Sequence, residues 1–322
     1  MSRAAAALLV LALALSWPAA DAPPFPSRAI RVAYSSIADL GDLPSLLAQD
    51  RLTGQGYDVH ATFFARAQLA VEAVARGQAD VGMGSTRTYW AAVARGADLV
   101  TVMEQVANGW SVLATADITS CGALDGKRLA LSSEGSLSGA LVRSYIRTGC
   151  PGTEPQIVII PGSEHRAAAL LSASVDASPV ELAEAMRLGV KAPGRFRTLV
   201  DFAAAHPRLE TTGVHVNRGW AHRNPGLLHA YLRTLLGVHR QIDGDPALLA
   251  AEARRRLDID AAVVSAHLRA KAWDANGGLT PETVAYSLAF FTGTETLPAP
   301  LTTDRIVDLG PLGRVLAEIG RR

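Results

Sequence analysis

Between Ile30 and Asn217 short apolar runs alternate with helix-forming segments, and this restricts the fold more than any other feature. IRVAYSS (Ile30–Ser36), YDVHATFF (Tyr57–Phe64), ADVGMGS (Ala79–Ser85) and LVTVMEQV (Leu99–Val106) read as strands. PSLLAQDRL (Pro44–Leu52), ARAQLAVEAVARG (Ala65–Gly77) and TRTYWAAVARG (Thr86–Gly96) read as helices between them. Proline is tolerated in a first helical turn, and glycine stops a helix. A second round follows. KRLALSS (Lys127–Ser133), QIVII (Gln156–Ile160), VDASPV (Val175–Val180) and FRTLVDF (Phe196–Phe202) are extended. SLSGALVRSYIRTG (Ser136–Gly149), EHRAAALLSA (Glu164–Ala173) and ELAEAMRLG (Glu181–Gly189) are helical. TTGVHVN (Thr211–Asn217) reads as a crossing strand, and the chain beyond it is almost wholly helical. Such alternation predicts an α/β fold of mostly parallel sheets flanked by helices. The plan shared by the two rounds predicts two similar lobes with a cleft between them. No period of 20–50 residues is visible, which excludes a solenoid.

Length and charge narrow the function. The 322 residues suffice for two domains, and 31 Lys+Arg against 30 Asp+Glu leave a net charge of +1. A nucleic-acid binder needs a basic face, so none is expected here. The densest basic run, Ala253–Leu257, is flanked by Glu252 and Asp258 and reads as a solvated helix face.

Arg3 precedes the apolar run Ala4–Leu15, which is followed by Ser16, Trp17, Pro18 and small residues. This is the order of a secretory signal. As a helix the run reaches ~18 Å, short of the ~30 Å hydrocarbon core of a bilayer. A signal peptide over 1–22, cleaved near residues 19–22, is expected, and with it a periplasmic mature protein. Cys121 and Cys150 fit an oxidising compartment. Both sit beside turn residues, which favours a disulfide over two buried thiols. Zinc spacings are absent, and neither a metal nor a cofactor is expected.

In open parallel sheets, ligands sit beyond the carboxyl ends of strands, often at helix N-termini. Four such ends carry small or hydroxyl residues: Ser35 and Ser36; Gly84, Ser85 and Thr86; Ser132, Ser133 and Ser136; and Thr211 with Thr212. One serine alone is better read as a helix cap. Four clusters on one edge point to a site for a small polar molecule. Tyr34, Phe64 and Trp110 are candidate aromatic walls, while Trp90 inside a helix reads as core. Arg66 is placed to pair with a ligand anion and Glu181 with a ligand amine, although each also suits an ordinary first-turn charge.

Catalytic patterns fail. GSLSG (Gly135–Gly139) has Leu137 where a nucleophilic serine belongs, and GMGSTR (Gly82–Arg87) ends in Arg87 instead of glycine. His206, His215, His222 and His229 have no metal spacing on one helix.

An ordered series of segments carries a family resemblance: IRVAYSS, VEAVARGQADVGMGS, DGKRLALSSEGS, VDASPVELA, NPGLLHAYLRTLL and GGLTPETVAYSLAFF. It resembles the periplasmic solute-binding proteins of ABC importers that handle sulfonates, taurine, nitrate and thiamine-precursor pyrimidines. The resemblance covers about Ile30 to Gly320. It implies a type II periplasmic-binding-protein fold, with lobe 1 at 28–115 plus 212–322 and lobe 2 at 116–211. Crossings are expected near Leu113–Ile118 and Leu209–Val214. It further implies a monomeric receptor, not an enzyme, that hands a small-molecule ligand to an ABC permease in the inner membrane. The alternatives are a ligand sensor for a membrane kinase and a secreted α/β hydrolase.

Overall fold

A computed structural model describes residues 28–295 and 297–322. The N-terminal segment read as a signal lies outside the described residues.

The strands are β1 (Ala29–Tyr34), β2 (Asp58–Phe63), β3 (Val81–Ser85), β4 (Leu99–Val106), β5 (Ser111–Thr115), β6 (Arg128–Leu131), β7 (Gln156–Ile159), β8 (Ala177–Val180), β9 (Phe196–Asp201) and β10 (Thr212–Asn217). They form two five-stranded sheets, ordered β2-β1-β3-β10-β4 and β7-β6-β8-β5-β9. The helices between strands are α1 (Leu43–Gly54), α2 (Ala67–Ala75), α3 (Thr86–Ala94), α4 (Leu137–Gly149), α5 (Ser163–Leu171), α6 (Leu182–Lys191) and the short α7 (Phe202–Ala205). The helices after β10 run from Arg218 to Ile319.

The sheets are built alike. In each, a central strand pairs in parallel with its two neighbours: β1 with β2 and β3, β6 with β7 and β8. One antiparallel strand then enters from the other half of the chain: β10 pairs with β3 and β4, β5 with β8 and β9. The expected mixed α/β architecture of two mostly parallel, helix-flanked sheets is present. Ile30, Val32, Ala33 and Tyr34 of β1 are all buried, as expected of a strand covered on both faces. The edge strand β2 is largely exposed.

One polar device recurs in both sheets. Asp80 stands just before β3, and its carboxylate accepts from the backbone N–H of Arg31 (2.8 Å), from Arg31 Nε (3.1 Å) and from Arg31 Nη2 (2.7 Å). Asp176 stands just before β8 and accepts from the N–H (2.8 Å), Nε (3.1 Å) and Nη2 (2.8 Å) of Arg128. Each aspartate also donates its own N–H to the arginine carbonyl. Bidentate charge-assisted bonds of this kind fix geometry as well as adding stability.

The sequence reading misplaces one boundary. Ser111–Thr115 forms β5 inside the second sheet, so the first passage between sheets lies at residues 107–110, upstream of the expected Leu113–Ile118. Val112, Leu113 and Ala114 are buried between β8 and β9, and that burial holds the segment in the second sheet. The return passage runs over residues 202–211, from the end of β9 to the start of β10. Cys121 and Cys150 are disulfide-bonded, with Cα atoms 5.7 Å apart. No helix among the described residues is long and apolar enough to cross a membrane.

Candidate functional site

The strand ends of both sheets meet at a cavity of about 160 Å³. The first sheet contributes Ser35, Ser36, Gly84, Ser85 and Gln105, and the loop entering α1 contributes Asp39 and Asp42. The second contributes Ser132, Ser136, Arg166 and Glu181, while Trp110 enters from the passage between the sheets. A narrower recess of about 40 Å³ is walled by several of the same residues together with Thr211 and His267.

Local sequence explains how these side chains arrive. Gly84 lies at φ +151°, and a Cβ there would stand 2.1 Å from Ser35 Oγ. Only glycine lets β1 and β3 approach this closely at the cavity floor. Ser136 is the N-cap of α4: its Oγ accepts from the Gly139 N–H (3.2 Å) and donates to the Ser133 carbonyl (2.6 Å). Arg166, in the first turn of α5, is almost fully buried; it donates through Nε to the Pro179 carbonyl (3.1 Å) and through Nη1 to the Ile160 carbonyl (3.3 Å). Its guanidinium lies 5.7 Å from the centre of the Trp110 ring.

Of the residues singled out in the sequence, Ser35, Ser36, Gly84, Ser85, Trp110, Ser132, Ser136 and Glu181 line the main cavity, and Thr211 lines the recess. Five line neither space. Tyr34 points into the core, bonded to Ser45 and Gln49 and stacked on Phe63 at 4.7 Å. Phe64 packs on the outer side of the first sheet beside Arg31 and His60. Arg66 is an exposed N-cap of α2. Thr86 is fully buried and donates to Glu210 Oε1 at 2.8 Å. Ser133 supports the α4 cap through its backbone. Asp39, Asp42, Gln105 and Arg166 line the cavity without having been singled out. Their signal, charged or amide residues in a loop, at a strand end or in a first helical turn, has meaning only once strand order is known.

The cavity is acidic. Its lining holds three carboxylates, Asp39, Asp42 and Glu181, against one guanidinium, Arg166. Burial, reinforced by Asp39, pushes the Asp42 carboxyl well above its ordinary range. Burial, and then Asp39 and Glu184, do the same to Glu181. Three buried polar atoms on these walls have no hydrogen-bond partner among the described residues: Ser85 Oγ, Gln105 Oε1 and Thr211 Oγ1.

Residues 52–239 match the family model described as NMT1/THI5 like. The chain belongs to that family. Among solved structures, the alkanesulfonate-binding protein SsuA from Xanthomonas axonopodis pv. citri, bound to MOPS, is 20% identical with a TM-score of 0.69, covering 89% of this chain and 98% of its own. The periplasmic aliphatic sulphonate binding protein SsuA from Escherichia coli is 19% identical with a TM-score of 0.70, covering 88% and 92%. The periplasmic nitrate-binding protein NrtA from Synechocystis PCC 6803 is 12% identical with a TM-score of 0.71, covering 91% and 89%. These likenesses establish a fold shared with periplasmic binding proteins. No curated protein matches the chain in sequence.

In this NMT1/THI5-like chain a second carboxyl pair stands at the base of both passages. Glu104 of β4 and Glu210, just before β10, are hydrogen-bonded side chain to side chain. Burial raises Glu104 from 4.5 to about 7, and burial with the Glu104 charge raises Glu210 well above its ordinary value. The folded state therefore binds more protons than the unfolded chain between these values. The contribution of Glu104 is full below pH 4.5 and is lost as pH rises through about 7, while Glu210, raised well above its ordinary value, keeps its contribution beyond the usual carboxylate range. Glu210→Gln keeps an acceptor for Thr86 and removes one charge. Its stability relative to wild type is expected to improve by on the order of 2 kcal/mol between pH 4.5 and 8. Urea unfolding at each pH measures this, and a constant difference sinks the assignment.

Proposed function

We propose that this chain is an extracytoplasmic solute-binding receptor that holds a small polar organic molecule between its two lobes and delivers it to an ABC permease in the inner membrane. The observation that carries the reading is the cavity itself, whose walls come from strand ends and helix starts of both sheets. Closing two bodies on one ligand requires contacts from each, and a ligand that touches both favours the closed arrangement. Lobe 1, in this reading, holds the sheet that contains β1 and the C-terminal helices; lobe 2 holds the sheet that contains β6. Family membership and the fold shared with sulfonate- and nitrate-binding receptors support the same role. So does the charged-then-apolar N-terminus, which reads as an export signal.

The test is native mass spectrometry of protein purified from the periplasm, followed by a thermal-shift screen of amines, sulfonates, carboxylates and pyrimidines. A bound mass together with a concentration-dependent shift, worth about 2.7 kcal/mol at a hundredfold excess over Kd, is the expected result. Processing to a cytoplasmic protein with no bound mass and no shift would end the receptor reading.

A further inference from the structure

We infer that the molecule held in the cleft carries an ammonium group, seated between Asp39 and Asp42 on one side and Glu181 on the other. This deepens the receptor reading and rests on it. The lining sets three carboxyl groups, Asp39, Asp42 and Glu181, against the one guanidinium of Arg166, and their burial and mutual repulsion resist ionisation until a cation joins them. The acidic groups come from both halves of the site: Asp39 and Asp42 from the loop after β1, Glu181 from the end of β8. Bringing the halves together therefore sets like charges against each other in a site that water is leaving. Such a site either takes up protons or takes up an opposite charge with the ligand, and a ligand cation is what lets the carboxylates stay ionised on closure. Arg166 does not supply it in full, because it brings one positive charge against three carboxyls, with Nε and Nη1 directed to the carbonyls of Pro179 and Ile160.

An independent observation points the same way. Gln105 is 4% exposed and donates through Nε2 to Asp42 Oδ1 at 2.6 Å. With Nε2 serving as the donor to Asp42, Oε1 is left as an acceptor. Gln105 lines the cavity and its Oε1 has no partner among the described residues. A buried acceptor beside three carboxylates asks for a donor with several N–H groups, which is what an ammonium offers and a sulfonate or nitrate lacks. A bare metal ion fits less well. Among the described residues no group of three His, Cys, Asp or Glu side chains is placed to hold one. The carboxylates are spread around a cavity sized for a molecule.

Three probes separate the possibilities by isothermal titration: putrescine, 3-aminopropane-1-sulfonate and propane-1-sulfonate. At least one amine-bearing probe is expected to bind tenfold or more tightly than propane-1-sulfonate. The double variant Asp39→Asn, Glu181→Gln leaves in place the bonds that Asp39 Oδ1 accepts from the Gly41 and Asp42 N–H groups. It is expected to weaken amine binding at least thirtyfold while the melting temperature of the ligand-free protein holds or rises. A merely structural role for these carboxylates would lower that temperature instead. Tighter binding of propane-1-sulfonate, or unchanged amine affinity in the double variant, overturns the inference and leaves the receptor reading standing. If no probe binds, the co-purified ligand decides: a mass containing a basic nitrogen supports the inference, one without it overturns the inference alone, and no bound mass overturns both readings.

Discussion

Replacing Cys121 and Cys150 together by alanine is expected to lower the unfolding free energy by ~3–4 kcal/mol and the melting temperature by roughly 10 °C. The two cysteines are 29 residues apart, and the bridge removes the freedom of that loop from the unfolded chain. In the folded protein it ties the C-terminal end of α4 to the segment that follows β5. Since β5 lies between β8 and β9, the bridge fastens a helix to the strand that carries the chain into the second sheet. The loss is therefore expected in the unfolding of the second sheet. Denaturant melts of the double variant against wild type measure it. Thiol titration of the unfolded, unreduced protein is expected to find no free thiol, and two thiols there would remove the basis of the prediction.

The two-round plan was legible because burial on both faces writes itself into the chain as short apolar runs, such as Val32–Tyr34 in β1. What connects the rounds was less legible. Val112–Ala114 is a short apolar run separated from LVTVMEQV only by a small polar stretch, and periodicity alone does not say which sheet it joins. Its place between β8 and β9 is settled by partners tens of residues away. The hydroxyl-rich strand ends were readable as a group, since strand ends in parallel sheets share an edge. The acidic side of the cavity was not. Asp39 and Asp42 look like ordinary loop charges, and Gln105 looks like an outward residue of an alternating strand. Their convergence depends on how the loop entering α1 packs over the end of β4. Thr86 fails as a cavity residue for a related reason: Glu210, far along the chain, claims its hydroxyl.

The paired Arg–Asp devices yield the other large effect. Asp80→Ala is expected to destabilise the protein by about 3 kcal/mol, the low end of the ~3–5 kcal/mol range for removing one partner of a fully buried pair. The Asp80 side chain is 4% exposed, and its loss leaves the backbone N–H of Arg31 without its acceptor inside the first sheet. The Arg31 side chain is 45% exposed, so water takes over part of its charge and the lower end of that range is favoured. Asp176→Ala removes the same set of bonds from Arg128, but its side chain is 24% exposed and the cost is expected to be smaller. Arg128 holds the Asp176 carboxyl below its ordinary pKa, so that aspartate stabilises the fold above the usual carboxylate range and loses the contribution as pH falls through its lowered value. Urea unfolding of both variants, with the slope m unchanged and the midpoint reduced, measures the two costs. Equal losses would mean that burial does not set the difference. A loss below about 1 kcal/mol for Asp80→Ala would mean that the bonds to Arg31 are replaced by water at no net cost. The devices span 49 and 48 residues, from the third position of β1 and the first of β6 to the residue immediately before β3 and β8. Their near-equal spacing is a trace in the sequence of two lobes built to one plan, and each holds the parallel pairing that brings its strand ends to the cavity.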